Sequence, residues 1–244
     1  MHIALMSDIH GNLEAFEACL ADAAAVVPGA RVIVLGDLVG YGADPNAVTQ
    51  LAMQRAAITI RGNHDEAATG ELGGMTADAS AAIAWTRSAL GSDMRDWLRA
   101  LPIEVAEEDR LYVHAEASNP AAWRYVMDPD AARRSIEATE QRLTFTGHTH
   151  VPVLFGLTAT EKITRFRPVC DVAVPLPRPR RWFAGVGAVG QPRDGNPAAC
   201  YAIFDTERAE LTIRRVAYDV ALTAAKIRAA GLPDRLASRL LHGH

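Results

Sequence analysis

The chain predicts an α/β protein, with parallel strands covered by helices in its first half and a mainly antiparallel meander in its last hundred residues. Three observations carry this expectation. The first sixty residues alternate strand-like apolar runs with helical patterns in the order βαβαβ, which favours parallel strands covered by helices. Residues 76–100 place apolar side chains at helical spacing. After residue 150, short strand-like runs follow one another with only turns between them.

Taken in order, "HIALM" is the first strand and ends at Ser7. Residues 13–27 set Leu13, Phe16, Leu20 and Val27 on one helical face, with Asn12 as cap. "RVIVL" (31–35) is the second strand, and "DPNAVTQLA" (44–52) opens a helix with Asp-Pro. "AAITI" (56–60) is the third strand. Ala79, Ile83, Thr86 and Leu90 form a helical stripe behind Thr76, and Met94, Trp97, Leu98 and Leu101 form another before Pro102 stops it. "PIEVAEEDRLYVH" reads as a hairpin with an acidic turn. Residues 128–138 read as a helix with Asp128 as cap and Pro129 in the first turn, and "LTFT" (143–146) is a further strand. Six short strands follow, from "VPVLFG" to "ELTIRRVAYD". A helix over about 219–230 ends at Gly231 and Pro233, before a polar tail. "PLPRPRR" (175–181) reads as a solvated basic turn between strands. Nothing divides the chain, so residues 1–244 are expected to form one domain.

The 244 residues are 49% apolar and 22% charged, ordinary proportions for a globular protein. A formal charge of −4 argues against an extended nucleic-acid or anionic-membrane surface. Cys19, Cys170 and Cys200 are scattered and odd in number, as expected of free thiols in a reducing compartment. With no apolar stretch long enough to span a bilayer and no signal-like N-terminus, the expected location is the cytoplasm.

The chemistry lies where strands end. "HIALM" runs into Asp8 and His10, "RVIVL" into Asp37, "AAITI" into Asn63 and His64, "LYV" into His114, and "LTFT" into His148 and His150. In open α/β sheets the carboxyl ends of strands are where sites are built, so five distant segments are expected to meet in one crevice. One such ending would read as a capped turn or a satisfied histidine; five together do not. Carboxylate, amide and imidazole donors without thiolate suit first-row divalent ions. Seven candidates are too many for one tetrahedral ion and about right for two. Two divalent ions against Asp8 and Asp37 would leave about two positive charges to attract a phosphate.

This series, Asp8/His10, Gly36-Asp37, "GNHD" at 62–65, His114 and "GHTH" at 147–150, resembles that of the calcineurin-like metallophosphoesterases. "SDIHGNLEAFEACL", "GDLVGYGADPNAV" and "VGQPRDGNP" resemble the small bacterial and archaeal phosphodiesterases, some diadenosine-tetraphosphatase-like or serine/threonine-phosphatase-like. The resemblance covers nearly the whole chain. It implies two facing mixed β-sheets flanked by helices, an α/β/β/α sandwich with metals at one edge. It also implies that Asp8, His10 and His150 hold one metal, that Asn63, His114 and His148 hold the other, and that Asp37 bridges them. Manganese is the first expectation for both ions, with iron, nickel, cobalt and zinc as alternatives. His64 would stay off the metals and assist the leaving group as a bridging hydroxide attacks phosphorus in line. "GNHD" would be a tight loop, and Asp65 is expected to cap the next helix, the alternative being that it orients the His64 loop. Tyr41 and Arg193 are candidate substrate contacts, Arg193 because a guanidinium matches phosphate geometry. The substrate expected is a small phosphate ester, such as a nucleotide; the oligomeric state is left open. A retired scaffold of the same fold is the alternative, and the retention of His64 and both aspartates argues against it.

Two departures stand out. Glu116 follows His114 by two residues, where relatives carry no carboxylate. Strand alternation is expected to turn it outward; facing the metals, it would be an extra ligand or a selectivity gate. Ala188, in "AGVGAVGQPRDG", stands where relatives have Ser.

Overall fold

The structure is a computed structural model and describes residues 1–70 and 73–244. The elements in chain order are β1 (His2–Met6), α1 (Leu13–Val26), β2 (Arg31–Val34), α2 (Pro45–Arg55), β3 (Ile58–Thr59), α3 (Asn63–Thr69), α4 (Ala77–Ala89), α5 (Ser92–Ala100), β4 (Glu104–Glu107), β5 (Arg110–Val113), α6 (Pro129–Glu137), β6 (Leu143–Thr146), β7 (Pro152–Thr158), β8 (Ile163–Phe166), β9 (Val174–Pro175), β10 (Arg180–Val186), β11 (Ala199–Asp205), β12 (Glu210–Val216), α7 (Val220–Ala229) and α8 (Asp234–His242).

The strands form two six-stranded mixed sheets, in the orders β3-β2-β1-β11-β12-β9 and β4-β5-β6-β10-β7-β8. β1, β2 and β3 pair in parallel, as the βαβαβ pattern predicts. β5, β6 and β10 form the parallel part of the second sheet. Ile3 and Leu5 on one face of β1 join Ile33, Tyr112, Phe145, Trp182 and Phe204 in the core between the sheets. Ala4 and Met6, on the other face, pack with Phe16, Leu20 and Val48 under the outer helices. Both faces of β1 are therefore dry, which is why "HIALM" reads as a continuous apolar run. α6 covers the outside of the second sheet through Ala132 and Ile136 against Phe155 and Phe183.

Local chemistry sets the helix starts. Asn12, Thr76, Asp128 and Asp219 each accept the backbone N–H three residues on. Three sequence expectations are corrected. The last hundred residues are not one meander: β7, β8 and β10 join one sheet and β9, β11 and β12 the other, and "PLPRPRR" carries the chain from β9 to β10. The segment after Pro233 is not a polar tail. It is α8, whose Leu236, Ala237 and Leu240 are buried against α7 and Tyr41. "GNHD" is not a loop followed by a helix: Asn63, His64 and Asp65 form the first turn of α3, with Gly62 as its N-cap.

Candidate metal centre

The five donor-bearing strand ends belong to both sheets, β1, β2 and β3 of one and β5 and β6 of the other. All seven predicted ligands and His64 meet there. Asp8, His10 and His150 bring donor atoms within 4.8 Å of one another; so do Asp37, His114 and His148, and so do His10, Asp37 and His64. Asn63 joins the second group, its Oδ1 3.2 Å from His114 Nε2. Asp8, His10, Asp37, His114, His148 and His150 are all buried.

The loops reach this geometry by unusual backbone. Asp8, His10, Asp37, His148 and His150 have φ between 52° and 65°, as has Tyr41 at 63°. Non-glycine residues rarely adopt this left-handed region, and such strain persists only where the surroundings over-determine it. Here the loops are stitched to one another. The His148 N–H donates to Asp8 Oδ2 at 2.9 Å, and the His64 N–H to Asp37 Oδ1 at 2.8 Å. Asp65 supplies the next tie. Its carboxylate accepts the N–H of Gly62 at 3.0 Å, closing the cap of α3, and those of Asp37, Leu38 and Val39 at 2.9, 2.9 and 3.2 Å. Asp65 thus caps its own helix, not the next one, and also holds the Asp37 loop. The close fit requires glycine at 62 and 147: a Cβ on Gly147 would lie 1.8 Å from Ser7 Oγ, and one on Gly62 would lie 2.1 Å from Asp37 Oδ1.

Four imidazoles are oriented by backbone carbonyls. His10 Nδ1 pairs with the Val39 carbonyl at 3.2 Å, His114 Nδ1 with Leu35 at 2.7 Å, and His150 Nδ1 with Gln191 at 2.6 Å. In His148 it is Nε2 that meets the Trp123 carbonyl, at 2.9 Å. A carbonyl only accepts, so each of these nitrogens carries the proton and the other nitrogen of a neutral ring presents a lone pair. His10 Nε2 and His150 Nε2 then face each other at 3.2 Å, with Asp8 Oδ1 3.2 Å from the latter. Asp37 Oδ2 lies 3.3 Å from His114 Nε2. Lone pairs converging on one another call for positive charge among them. At His114 the electrostatics says the same: burial opposes its charging, but Asp37 and Asp8 raise it to about 9. Burial also opposes ionisation of Asp8 and Asp37, yet the surrounding imidazoles hold both carboxyls below their ordinary range. The donor set fits divalent cations, and the carbonyls supply the outer support that metal-bound histidines require.

His64 is buried, and its Nδ1 has no hydrogen-bond partner among the described residues. Burial drives it down to about 4, so the ring is neutral at neutral pH. Tyr41 packs between His10 and His64, at centroid distances of 4.6 and 4.5 Å. Arg193 lies over the Tyr41 ring at 5.8 Å and donates to Gln191 Oε1 at 3.0 Å. Its Nε is buried without a partner among the described residues. Glu116 is not turned outward. Its buried carboxylate accepts the N–H groups of Ser118 and Asn119 at 2.8 and 3.1 Å and closes its own turn. Among the described residues it belongs to none of the donor groups of the cluster. Ala188 is buried, and its carbonyl accepts the Cys200 N–H at 2.9 Å.

Three residues at the site escape the motif pattern. Trp123 packs edge-on against His114, with centroids 5.9 Å apart, besides accepting the His148 proton. Tyr125 stacks on His148 at 4.1 Å and 15°. Arg239 of α8 is held below its ordinary value by burial and by the guanidiniums of Arg193 and Arg235. The aromatic–basic run "WRY" at 123–125 was the available signal for the first two.

Comparison with known proteins shows the family and the fold. The chain is 32% identical over 250 residues to an uncharacterized protein of Methanocaldococcus jannaschii, covering 99% of this chain and 98% of the relative. The crystal structure of a metallophosphoesterase from Sphaerobacter thermophilus superimposes with a TM-score of 0.88 at 36% identity, over 100% of this chain and 99% of that one. A hypothetical protein from Pyrococcus horikoshii OT3 has the same fold, with a TM-score of 0.77 at 21% identity, over 100% and 98% of the two chains. Residues 1–209 match the description "Calcineurin-like phosphoesterase superfamily domain". The chain belongs to the calcineurin-like phosphoesterase superfamily.

Proposed function

We propose that the protein hydrolyses phosphate esters at a centre for two divalent cations. Asp8, His10 and His150 would hold one, Asn63, His114 and His148 the other, and Asp37 would bridge them. The observation that carries this reading is the convergence of imidazole nitrogens and carboxylate oxygens on either side of Asp37. Manganese is the ion we propose first. Bound there, such a pair polarises a phosphoryl oxygen and makes a nucleophile of water near neutral pH.

The chain's own residues do the rest. The carbonyl-locked histidines fix where the phosphate sits. The His64 imidazole, beside Asp37 and His10, lies where it meets an ester oxygen and passes a proton to the leaving alkoxide; an anionic ester offsets the burial that keeps the free ring neutral. Tyr41 and Arg193 border that position, and Arg193 contacts a non-bridging oxygen through its guanidinium.

The test is metal-stripped protein assayed on a phosphomonoester and a phosphodiester as each divalent ion is added back. His64→Ala should keep its metal and lose roughly 10²- to 10⁴-fold in kcat, the usual worth of a general acid. Normal turnover by that variant would remove His64 from the mechanism. Absence of turnover with every ion, despite two ions bound per chain, would favour a retired scaffold.

A further inference from the structure

Glu116, the carboxylate that sets this sequence apart from the family pattern, is only 3% exposed. A buried carboxylate is costly unless donors surround it. Its donors lie at both ends of one loop. At the near end, Oε2 accepts the Ser118 N–H at 2.8 Å and the Ser118 hydroxyl at 2.5 Å, and Oε1 accepts the Asn119 N–H at 3.1 Å. At the far end, the Arg124 guanidinium stands 3.7 Å from Oε1. One side chain thus straps residues 116–124 together. Arg124 is exposed and its attraction is screened, so the donors at 118 and 119 do most of the holding.

The strap runs between two candidate ligands of the same ion. It starts beyond His114, at the end of β5, and its far end rests on His148. Along the way, the Ala117 N–H donates to Ser135 Oγ of α6 at 3.0 Å, and a 3₁₀ turn at Pro120–Ala122 leads into Trp123. Trp123 has φ 50°, a conformation that its surroundings must impose. From there its carbonyl meets His148 Nε2 at 2.9 Å, its ring meets His114 edge-on, and Tyr125 stacks on the His148 ring. No other hydrogen bond among the described residues reaches that ring. The orientation of His148 therefore depends on where the strap places one carbonyl.

We propose that Glu116 is a positioning residue for His148: it holds the strap whose Trp123 carbonyl keeps the ring proton on Nε2 and leaves Nδ1 as the ligand atom. The inference rests on the two-cation reading of the donor cluster and deepens it by one residue outside the donor groups. Without the Glu116 carboxylate, the 118–119 turn opens, the Trp123 carbonyl is released, and the His148 ring is free to change tautomer and to turn.

The test joins two measurements on the full chain. Long-range ¹H–¹⁵N NMR of the metal-free protein at neutral pH distinguishes a protonated ring nitrogen from a bare one. His148 should carry its proton on Nε2 in the wild type, and Glu116→Ala should give a mixture of tautomers. Calorimetric titration with manganese then reads the two ions. In Glu116→Ala one binding step should weaken about 10- to 100-fold, the usual cost of removing outer support from a ligand, and the other should hold. Asn63→Ala should weaken the same step, which identifies it. Glu116→Gln keeps the size of the side chain but one acceptor oxygen, so it should fold and lie between wild type and Glu116→Ala. A His148 proton that stays on Nε2 in Glu116→Ala would overturn the proposal. So would both steps weakening alike, which is the mark of a general support of the fold, or neither weakening. If the wild type binds fewer than two ions, the two-cation reading falls, and the tautomer measurement, which needs no metal, still decides whether Glu116 positions His148.

Discussion

At the scale of single residues, the site depends on atoms that have almost no room to move. Gly147 is the sharpest case. A methyl group there would come within 1.8 Å of Ser7 Oγ and 2.3 Å of Asp8 Oδ2, displacing a candidate ligand and the turn that carries His148. Gly147→Ala should lower stability by about 1–3 kcal/mol or more, the range for forced overpacking. It should also cut metal uptake. Elemental analysis and a thermal melt would check both, and full metal loading in a stable variant would contradict the geometry. This site was legible in the sequence as residue types: aspartate, histidine and asparagine at strand ends already specify hard and borderline cations. The choice of ring nitrogen was not, because the carbonyls that fix it, such as Leu35 for His114 and Gln191 for His150, come from distant parts of the chain. Asp65 shows the same limit. Its helix-capping bond is local, but the bonds to Asp37, Leu38 and Val39 span 26 to 28 residues.

At the scale of elements, the C-terminal helices are fastened to the N-terminal half by a small charged knot. Lys226 of α7 reaches both Glu14 of α1 and Asp44 at the start of α2, the latter at 2.9 Å. Burial opposes ionisation of Glu14, but Lys226 and Thr223 hold its carboxyl below the ordinary value. A depressed carboxylate stabilises the fold fully above its unfolded pKa and loses that contribution as pH falls through the folded value. Wild type should therefore lose stability on acidification below about pH 4.5, and Glu14→Gln should lose less over the same window. Glu14 is half-buried beside a Lys226 that stays partly open to solvent, so screening should hold the difference to about 1 kcal/mol. Urea titrations at neutral and acid pH would measure it; parallel acid limbs would show that the knot carries no pH-linked stability. α8 was missed because its sequence, "DRLASRLLH", is short and charged. Its Leu236–Leu240 stripe finds something to bury against only in the folded molecule, in α7, α4 and Tyr41.

At the scale of the whole molecule, the two sheets are interleaved in sequence. The chain builds β1 to β3 in one sheet, β4 to β8 in the other, and then alternates between them through β9 to β11. We propose that residues 1–244 form one domain on this basis, since neither sheet is a continuous segment. Phe145 lies at the junction, fully buried, with Tyr112 at 6.0 Å and Phe204 of the opposite sheet at 5.2 Å. Phe145→Ala should cost about 3–5 kcal/mol and lower the melting temperature of one cooperative calorimetric transition. Two separate transitions, only one of them shifted, would divide the chain.

The sequence by itself determined the parallel βαβαβ opening, the caps Asn12, Thr76 and Asp128, and which aspartates, histidines and asparagine stand at strand ends, because periodicity, capping and residue type are properties of short stretches. Tertiary structure alone decided which sheet each late strand joins, which nitrogen of each histidine faces the cluster, and that Trp123 and Tyr125 stand beside it. Those outcomes depend on which distant backbone carbonyl or ring comes within reach, and that is fixed only when the two sheets close on each other.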